Sequence, residues 1–432
     1  MCESRPSVLV LVPLVFLAIS CGGSSGDTTA DPGGGTTPTI PVSQSLATGD
    51  AKLQTGITTL STDDLLAAAN AYRAAATASA TDGTATQAQK DQASFFGGAA
   101  LLALVANPAS NSASAGTLNT FGDILDAFGV GGTAGERAHL DTIRFVDCAA
   151  GTCRLKTFPA NSPNSRDIQA FLLSKMGTAL GGVIEALGQV SPNFQYRLTF
   201  RNTFVEFDHT DALAMKAFAQ ALLGAVQVQA AYDFGVDVDA LQASTQPGAP
   251  AFSASSFLAA NPTLLTLTSA PSLAAARSSF LASIASARDA VASLRAETGA
   301  QANDFVKVST YSCTYAPGQA YTCGTTYNAT ADLDEFVAGL DEVARVLGAT
   351  GPVDVNGVQV DPTKFFAGVN LREKLPSTWN AGPGGNLPGY FPDPTFGGVF
   401  VTAPPQVNAD ANGDGSPDWL GNIGGSFRIP KL

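Results

Sequence analysis

The stretch DHTDALAMKAFAQALLGAVQVQAAY, residues 208–232, decides the fold class. Asp208 can cap a helix, and Asp211, three residues on, is the first-turn acid that completes the cap and complements the helix dipole. The residues behind them keep a helical pattern up to Tyr232, so the stretch predicts one long helix. Comparable patterns run over 165–190, 272–297 and 331–347. Upstream, Ser61-Thr62-Asp63-Asp64 opens another helix that carries Leu65, Ala68, Ala69 and Tyr72 and breaks at Asp82-Gly83. A further helix covers 86–105, with Phe95, Phe96, Ala99, Leu102 and Leu104 on a broad apolar face, and ends at Asn107-Pro108. Short helices are expected at 121–128 and 134–141. The fold class is therefore mainly α: an irregular multi-helix domain with small disulfide-stapled β-hairpins and a loop-rich C-terminus.

The 432-residue chain is long enough for a large core, with 45% hydrophobic and 14% charged residues. A net charge of -13 argues against nucleic acid as a partner and against charge-driven adhesion to anionic lipid. Its two histidines, His139 and His209, leave little room for His-based metal or nucleophile chemistry.

Residues 8–19, VLVLVPLVFLAI, are too short for a permanent span and fit a cleaved signal. Leu17-Ala18-Ile19-Ser20-Cys21 resembles the lipobox of bacterial lipoproteins. The resemblance implies cleavage before Cys21, acylation of that cysteine and a lipid bilayer as partner, each buried CH₂ contributing about 0.8 kcal/mol. Residues 1–20 are then the signal peptide and 21–42 the lipidated cysteine with its Gly/Ser/Thr/Pro tether. As a coil, twenty such residues reach about 25 Å. Gly22 behind the cysteine resembles the outer-membrane-sorted class. The body is assigned to 43–400 and a C-terminal tail to 401–432. No later stretch reads as a transmembrane helix, and Gly22-Gly23-Ser24-Ser25-Gly26 matches a nucleophile elbow by composition alone.

Four cysteines remain for the body, as two local pairs: Cys148 with Cys153 and Cys313 with Cys323. Both bracket turn residues between β-prone residues, which reads as two hairpins stapled across their ends in an oxidising compartment. Three connectivities exist, and a four-Cys zinc site is the alternative, against which the spacing speaks. Tyr311, Tyr315, Tyr321 and Tyr327 around the second pair suit either a contact surface or packing. A third hairpin is expected about Asn356-Gly357 within Val353-Asp354-Val355-Asn356-Gly357-Val358-Gln359-Val360.

The spacing of Leu65, Ala68, Ala69 and Tyr72, followed by Phe96, Ala99 and Asn107-Pro108, resembles a tetratricopeptide repeat, although no second copy follows at a 34-residue period. With Asp361-Pro362-Thr363-Lys364-Phe365-Phe366, Asn370-Leu371-Arg372-Glu373-Lys374-Leu375-Pro376 and Asp393-Pro394-Thr395-Phe396-Gly397-Gly398, the chain resembles a group of uncharacterised bacterial lipoproteins with mainly α, tetratricopeptide-like bodies. That resemblance implies no catalytic residues.

One loop carries a metal pattern. Asp410, Asn412, Asp414, Ser416 and Asp418 stand at positions one, three, five, seven and nine of an EF-hand-like calcium loop, with Gly415 at six. It also resembles the calcium loops of thrombospondin type 3 repeats and dockerins. Position twelve is Gly421 instead of an acid, so calcium would bind weakly; the competing reading is a polar turn. Gly129-Val130-Gly131-Gly132-Thr133-Ala134 lacks the strand a dinucleotide fingerprint needs and reads as a loop. His209 and His139 read as solvated helix residues. Asp334, Glu335, Asp341 and Glu342 read as the solvated face of a helix whose other face carries Leu333, Phe336, Val337 and Leu340. The chain is expected to be a non-enzymatic, outer-membrane-anchored structural or interaction module with an envelope protein as partner. The alternative is a binding protein for a small apolar or glycan ligand.

Overall fold

A computed structural model of the chain describes residues 41–59, 62–81, 83–105, 118, 120–129, 146–149, 152–155, 158–159, 162–200, 203–246, 254–297, 303–307, 309–314, 322–355, 357–374, 393 and 395–401. The signal stretch, Cys21, residues 22–40 of the tether, the 134–141 helix with His139 and the calcium-like loop lie outside these residues, whereas Val42, assigned to the tether, is the buried first residue of a helix. Three helices open the body: α1 (Val42–Thr59), α2 (Thr62–Thr81) and α3 (Gln87–Val105). The second and third match the expectation; α1 does not, since the first expected helix opens only at Ser61. With two glycines and four threonines, α1 has little intrinsic helix propensity. Packing against α2 stabilises it instead. Val42, Leu46 and Leu53 are buried along one face. On the same side, a Cβ on Gly49 would stand 2.8 Å from the Tyr72 ring, and one on Gly56 would stand 3.0 Å from Leu65. Only a helix without side chains at these points can approach α2 so closely.

The chain continues through α4 (Phe121–Ala127), strands β1 (Val146–Ala149) and β2 (Thr152–Leu155), and a long helix α5 over Ser165–Gly188. A π-bulge at Leu172–Met176 interrupts α5, with the Gly177 N–H donating to the Leu172 carbonyl. The bulge resets the helical phase. Before it, Phe171 packs with Ile124, Phe128 and Phe158; beyond it, Leu180, Val183 and Leu187 join the main core. By length and composition alone α5 could cross a membrane, in contrast to the expectation that no stretch after the signal is long and apolar enough. Within the body 22% of that apolar window is buried, where α5 packs against α3 and against α6 (His209–Ala230).

Between α5 and α6 stands a hairpin absent from the expectation, β3 (Gln195–Phe200) with β4 (Thr203–Asp208), antiparallel in register Gln195↔Asp208. Its Phe207 joins an aromatic cluster with Phe95 (5.3 Å) and Phe96 (5.6 Å), and Phe95 also meets Phe194 at 5.0 Å. This cluster is the centre of the main core, together with the fully buried Tyr72. Each such side chain contributes about 1.5–3 kcal/mol of burial.

After α7 (Val238–Thr245) and α8 (Ala254–Ala260), the 27-residue helix α9 (Ala270–Ala296) forms the most extensive helix contact among the described residues, against α6. Strands β5 (Ser309–Thr314) and β6 (Thr322–Tyr327) follow, then α10 (Thr330–Gly348), β7 (Val353–Val355), β8 (Val358–Val360), α11 (Pro362–Gly368) and α12 (Leu371–Lys374). Helices α1, α2, α3, α5, α6, α9 and α10 contact one another in chain order, each packed on the next. The body is thus mainly helical, with strands only as separate two-stranded pairs among the described residues. The expected Asn-Gly hairpin pairs Val355 with Val358, and Gly357 takes a φ of 85°.

Two Asp-Pro-Thr turns close the described chain. Asp361 caps α11 by accepting from the Thr363 N–H at 3.0 Å and from its hydroxyl. Asp393 makes the same pair of bonds to Thr395 and adds the Gly397 N–H at 2.8 Å. Phe396, Gly397 and Gly398 then enter the left-handed region, so this second turn does not become a helix. It folds back instead: the Val401 N–H donates to Gln359 and the Asp361 N–H donates to Val399.

Candidate functional site

An open cleft of about 490 Å³ lies where the start of α5, the start of α7 and the turn after α8 meet. Each wall follows from a local rule. Asn164 caps α5, its side chain accepting from the Arg166 and Asp167 N–H groups at 2.9 and 3.1 Å, while Asp167 accepts back from the Asn164 N–H at 3.0 Å. This is a complete capping box. Asp237 caps α7 by accepting from the Ala240 N–H at 2.9 Å. Across the cleft, Arg166 forks onto Asp233 at 2.7 and 3.3 Å and reaches the Thr263 hydroxyl at 3.3 Å. A Cβ on Gly235 would collide with the guanidinium, so glycine there lets the arginine lie flat. The Arg166 contact holds the Asp233 carboxyl below the usual carboxylate range.

The lining is polar: the Arg166 guanidinium, the carboxylates of Asp237 and Asp239, the amides of Asn164 and Asn261, and the Thr263 hydroxyl. Such a surface suits hydroxyl-rich or zwitterionic groups; it does not resemble the enclosed apolar cavity of a lipid carrier. Sequence reasoning missed all of it. Asn164-Ser165-Arg166-Asp167 carries the capping-box spacing that would have placed one wall.

A second polar constellation surrounds the start of α6. The predicted cap is present: Asp208 accepts from the Thr210 N–H at 2.8 Å and Asp211 accepts from the Asp208 N–H at 2.7 Å. Asp211 is 2% exposed. Burial raises its pKa first and the neighbouring charge of Asp208 next, partly offset by hydrogen bonds from the Asp208 and Val306 N–H groups. Asp304, across from Glu206, is pushed up to about 6 by burial and by Asp208 and Glu206, against the pull of Lys307. The Thr210 hydroxyl meets Ser293 at 2.8 Å and Glu297 at 2.5 Å. His209 departs from the expected solvated residue: it is half-buried, and its Nδ1 has no hydrogen-bond partner among the described residues. The cause is its place at the seam where β4 turns into α6.

The remaining sequence candidates fall as follows. Asp334, Asp341 and Glu342 do lie on a solvated face, 62%, 58% and 50% exposed, where Arg295, Arg288 and Arg345 pair with them. The first two pairs pin α10 to α9. In backbone register Cys148 stands opposite Cys153 and Cys313 opposite Cys323; the cysteine side chains lie outside the described residues, as do those of Tyr311, Tyr315, Tyr321 and Tyr327. Cys21, Asp410, Asn412, Asp414, Ser416 and Asp418 fall in undescribed stretches. Among the described residues, no three His, Cys, Asp or Glu side chains are arranged to hold a metal ion. Comparison with family models, with curated proteins and with solved structures finds no match to this chain.

Proposed function

We propose that the chain is a lipid-anchored protein of the bacterial envelope, held through acylated Cys21 on the 22–41 tether, whose helical body is a non-enzymatic structural or protein-interaction module. The observation that supports it most is the junction at Val42: a packed helix starts directly behind a run of Gly, Ser, Thr and Pro that follows a lipobox-like Cys21. Directly opposed cysteines in both hairpins suit two local disulfides and hence an oxidising envelope space, because directly opposed residues are the nearest side-chain neighbours across a strand pair. The test is membrane fractionation with mass spectrometry of the N-terminal peptide, followed by photo-crosslinking from residues around the cleft. The proposal expects a triacylated Cys21 peptide, release of Cys21→Ala from the membrane, and a discrete crosslinked envelope protein. An unmodified Cys21, or crosslinks no different from those of an unrelated anchored control, overturns it.

The polar lining of the cleft favours, as a second reading, a binding protein for a glycan rather than for an apolar ligand. Calcium at Asp410, Asn412, Asp414, Ser416 and Asp418 remains part of the proposal, with a Kd of about 10⁻⁴ to 10⁻³ M as in extracellular modules. Calorimetric titration with calcium, compared with Asp414→Ala, checks it: heat in the native chain that the substitution abolishes is expected, and its absence in both refutes the metal site.

A further inference from the structure

Residues 303–307 link α9 to the β5–β6 hairpin and dock on the seam between β4 and α6. The Phe305 N–H donates to the Glu206 carbonyl at 3.1 Å, and the Val306 N–H donates to Asp211 Oδ1 at 2.8 Å. The Phe305 ring lies 5.2 Å from that of Phe207. A parallel bridge sets Asp304 opposite Glu206. Docking therefore brings Asp304 of the link up to the carboxylates of Glu206 and Asp208 from β4 and of Asp211 from α6, while Glu297, just past the end of α9, accepts from Thr210 at the same helix start. Opposing positive charge comes from Lys307 on the link, while Arg197 of β3 is engaged by Glu206 at 2.5 Å. His209 lies at the same helix start. The arginines of α9 point elsewhere, Arg295 to Asp334 and Arg288 to Asp341.

We propose that residues 303–307 are an acid-tightened latch, which holds the base of the β5–β6 hairpin against the body when Asp304 carries a proton and loosens when Asp304 ionises. The physical reason is that docking drives like charges together. Released into water, Asp304 regains an ordinary carboxylate pKa of about 3.9; docked, it sits near 6. The docked state then binds more protons between those values, so docking strengthens as pH falls from 7 toward 5 and weakens as pH rises. The difference between these values bounds the effect at about a hundredfold in the docking equilibrium over the whole titration, of which about tenfold develops between pH 7.5 and pH 5.

Hydrogen exchange of the full chain, read on peptides covering 303–307 and corrected for the intrinsic pH dependence of exchange, tests the latch. Protection is expected to fall about tenfold between pH 5 and pH 7.5, and Asp304→Asn is expected to flatten that dependence with the link protected throughout. Two further substitutions move the midpoint in opposite directions: Glu206→Gln removes a negative neighbour and lowers it, whereas Lys307→Gln removes the positive one and raises it. This opposed pair decides the matter even if Asp304→Asn fails to fold. Protection that is flat with pH in the native chain, a dependence retained in Asp304→Asn, or midpoints that do not separate in that order overturns the proposal.

Discussion

Asp91 is a buried carboxylate that joins two parts of the chain a hundred residues apart. It sits on α3, 2% exposed, and accepts from the Ser191 N–H at 2.9 Å, the Ser191 hydroxyl at 2.6 Å and the Gln87 amide at 2.9 Å. Ser191 lies in the turn between α5 and β3, so these bonds fix where the hairpin begins relative to the aromatic cluster. Asp91→Ala removes every acceptor and leaves two Ser191 donors facing a site that water reaches poorly. Leaving a buried donor unsatisfied costs about 1–3 kcal/mol, so the expected loss is about 3–4 kcal/mol. Asp91→Asn keeps one carbonyl oxygen for Ser191 and should lose about half as much. For a body of this size each kcal/mol lowers Tm by about 1–2 °C, which places Asp91→Ala about 5 °C below the native chain. Thermal melts by circular dichroism, combined with Ser191→Ala in a double-mutant cycle, measure the coupling. Asn and Ala variants of equal stability, or a cycle that closes with no coupling, would refute the assignment of this loss to the Ser191 bonds.

Overpacking should show at the α6–α9 seam. A Cβ on Gly224 would stand 2.7 Å from the Phe280 ring, so Gly224→Ala should lower stability by about 1–3 kcal/mol in urea denaturation, with Phe280→Leu recovering part of it. Stability should also pass through a maximum in mild acid. Asp211 and Asp304 have folded pKa values above their unfolded ones, so folding takes up protons and stability rises as pH falls from about 7 toward 5. Asp233 and Asp393 are held below the usual range, Asp233 by Arg166 and Asp393 by Thr395 and Lys374, and their contribution is lost once pH falls below about 4. Denaturation midpoints at pH 7.5, 5.5 and 3.5 check both limbs, and a monotonic fall from pH 7.5 downward contradicts the first.

The sequence showed those features whose determinants are local. Helices α2, α3, α5, α6, α9 and α10 are marked by caps, spacing and breakers within a few residues, and the Asn356-Gly357 hairpin by its turn chemistry. Helix α1 escaped because Gly49 and Gly56 weaken it locally and help it only in contact with Tyr72 and Leu65. The β3–β4 hairpin is not marked locally, because Arg201-Asn202 between its strands lacks the glycine of a two-residue hairpin turn signal. Of the polar sites, Asp208 and Asp211 were legible as a cap. The arrival of Asp304 beside them, or of Asp233 beside Arg166, depends on tertiary packing across about 70 to 95 residues, as the Arg166–Asp233 and Asp211–Val306 bonds show. No local pattern encodes that.

The acidic excess has a structural use at helix starts. Asp63 and Asp64, Asp123, Asp167, Asp211, Asp239 and Asp332 stand in the first turns of α2, α4, α5, α6, α7 and α10, where a negative charge offsets the positive end of the helix dipole. In α4, α5 and α6 the acid also closes a capping box. Asp167 and Asp211 thus play the same local part, yet the same substitution should act on them with opposite signs. Asp167→Asn at the exposed start of α5 weakens the dipole term and should cost a few tenths of a kcal/mol at pH 7. Asp211 is buried beside Asp208 and Asp304, where the neutral form is favoured. Asp211→Asn keeps a carbonyl acceptor for one of the two N–H groups while removing the disfavoured charge, so stability at pH 7 should rise and the gain should shrink toward pH 5. Urea denaturation of both variants at the two pH values separates the terms. Equal losses at Asp167 and Asp211, independent of pH, would show that capping alone governs the start of α6 and that its buried charge does not matter.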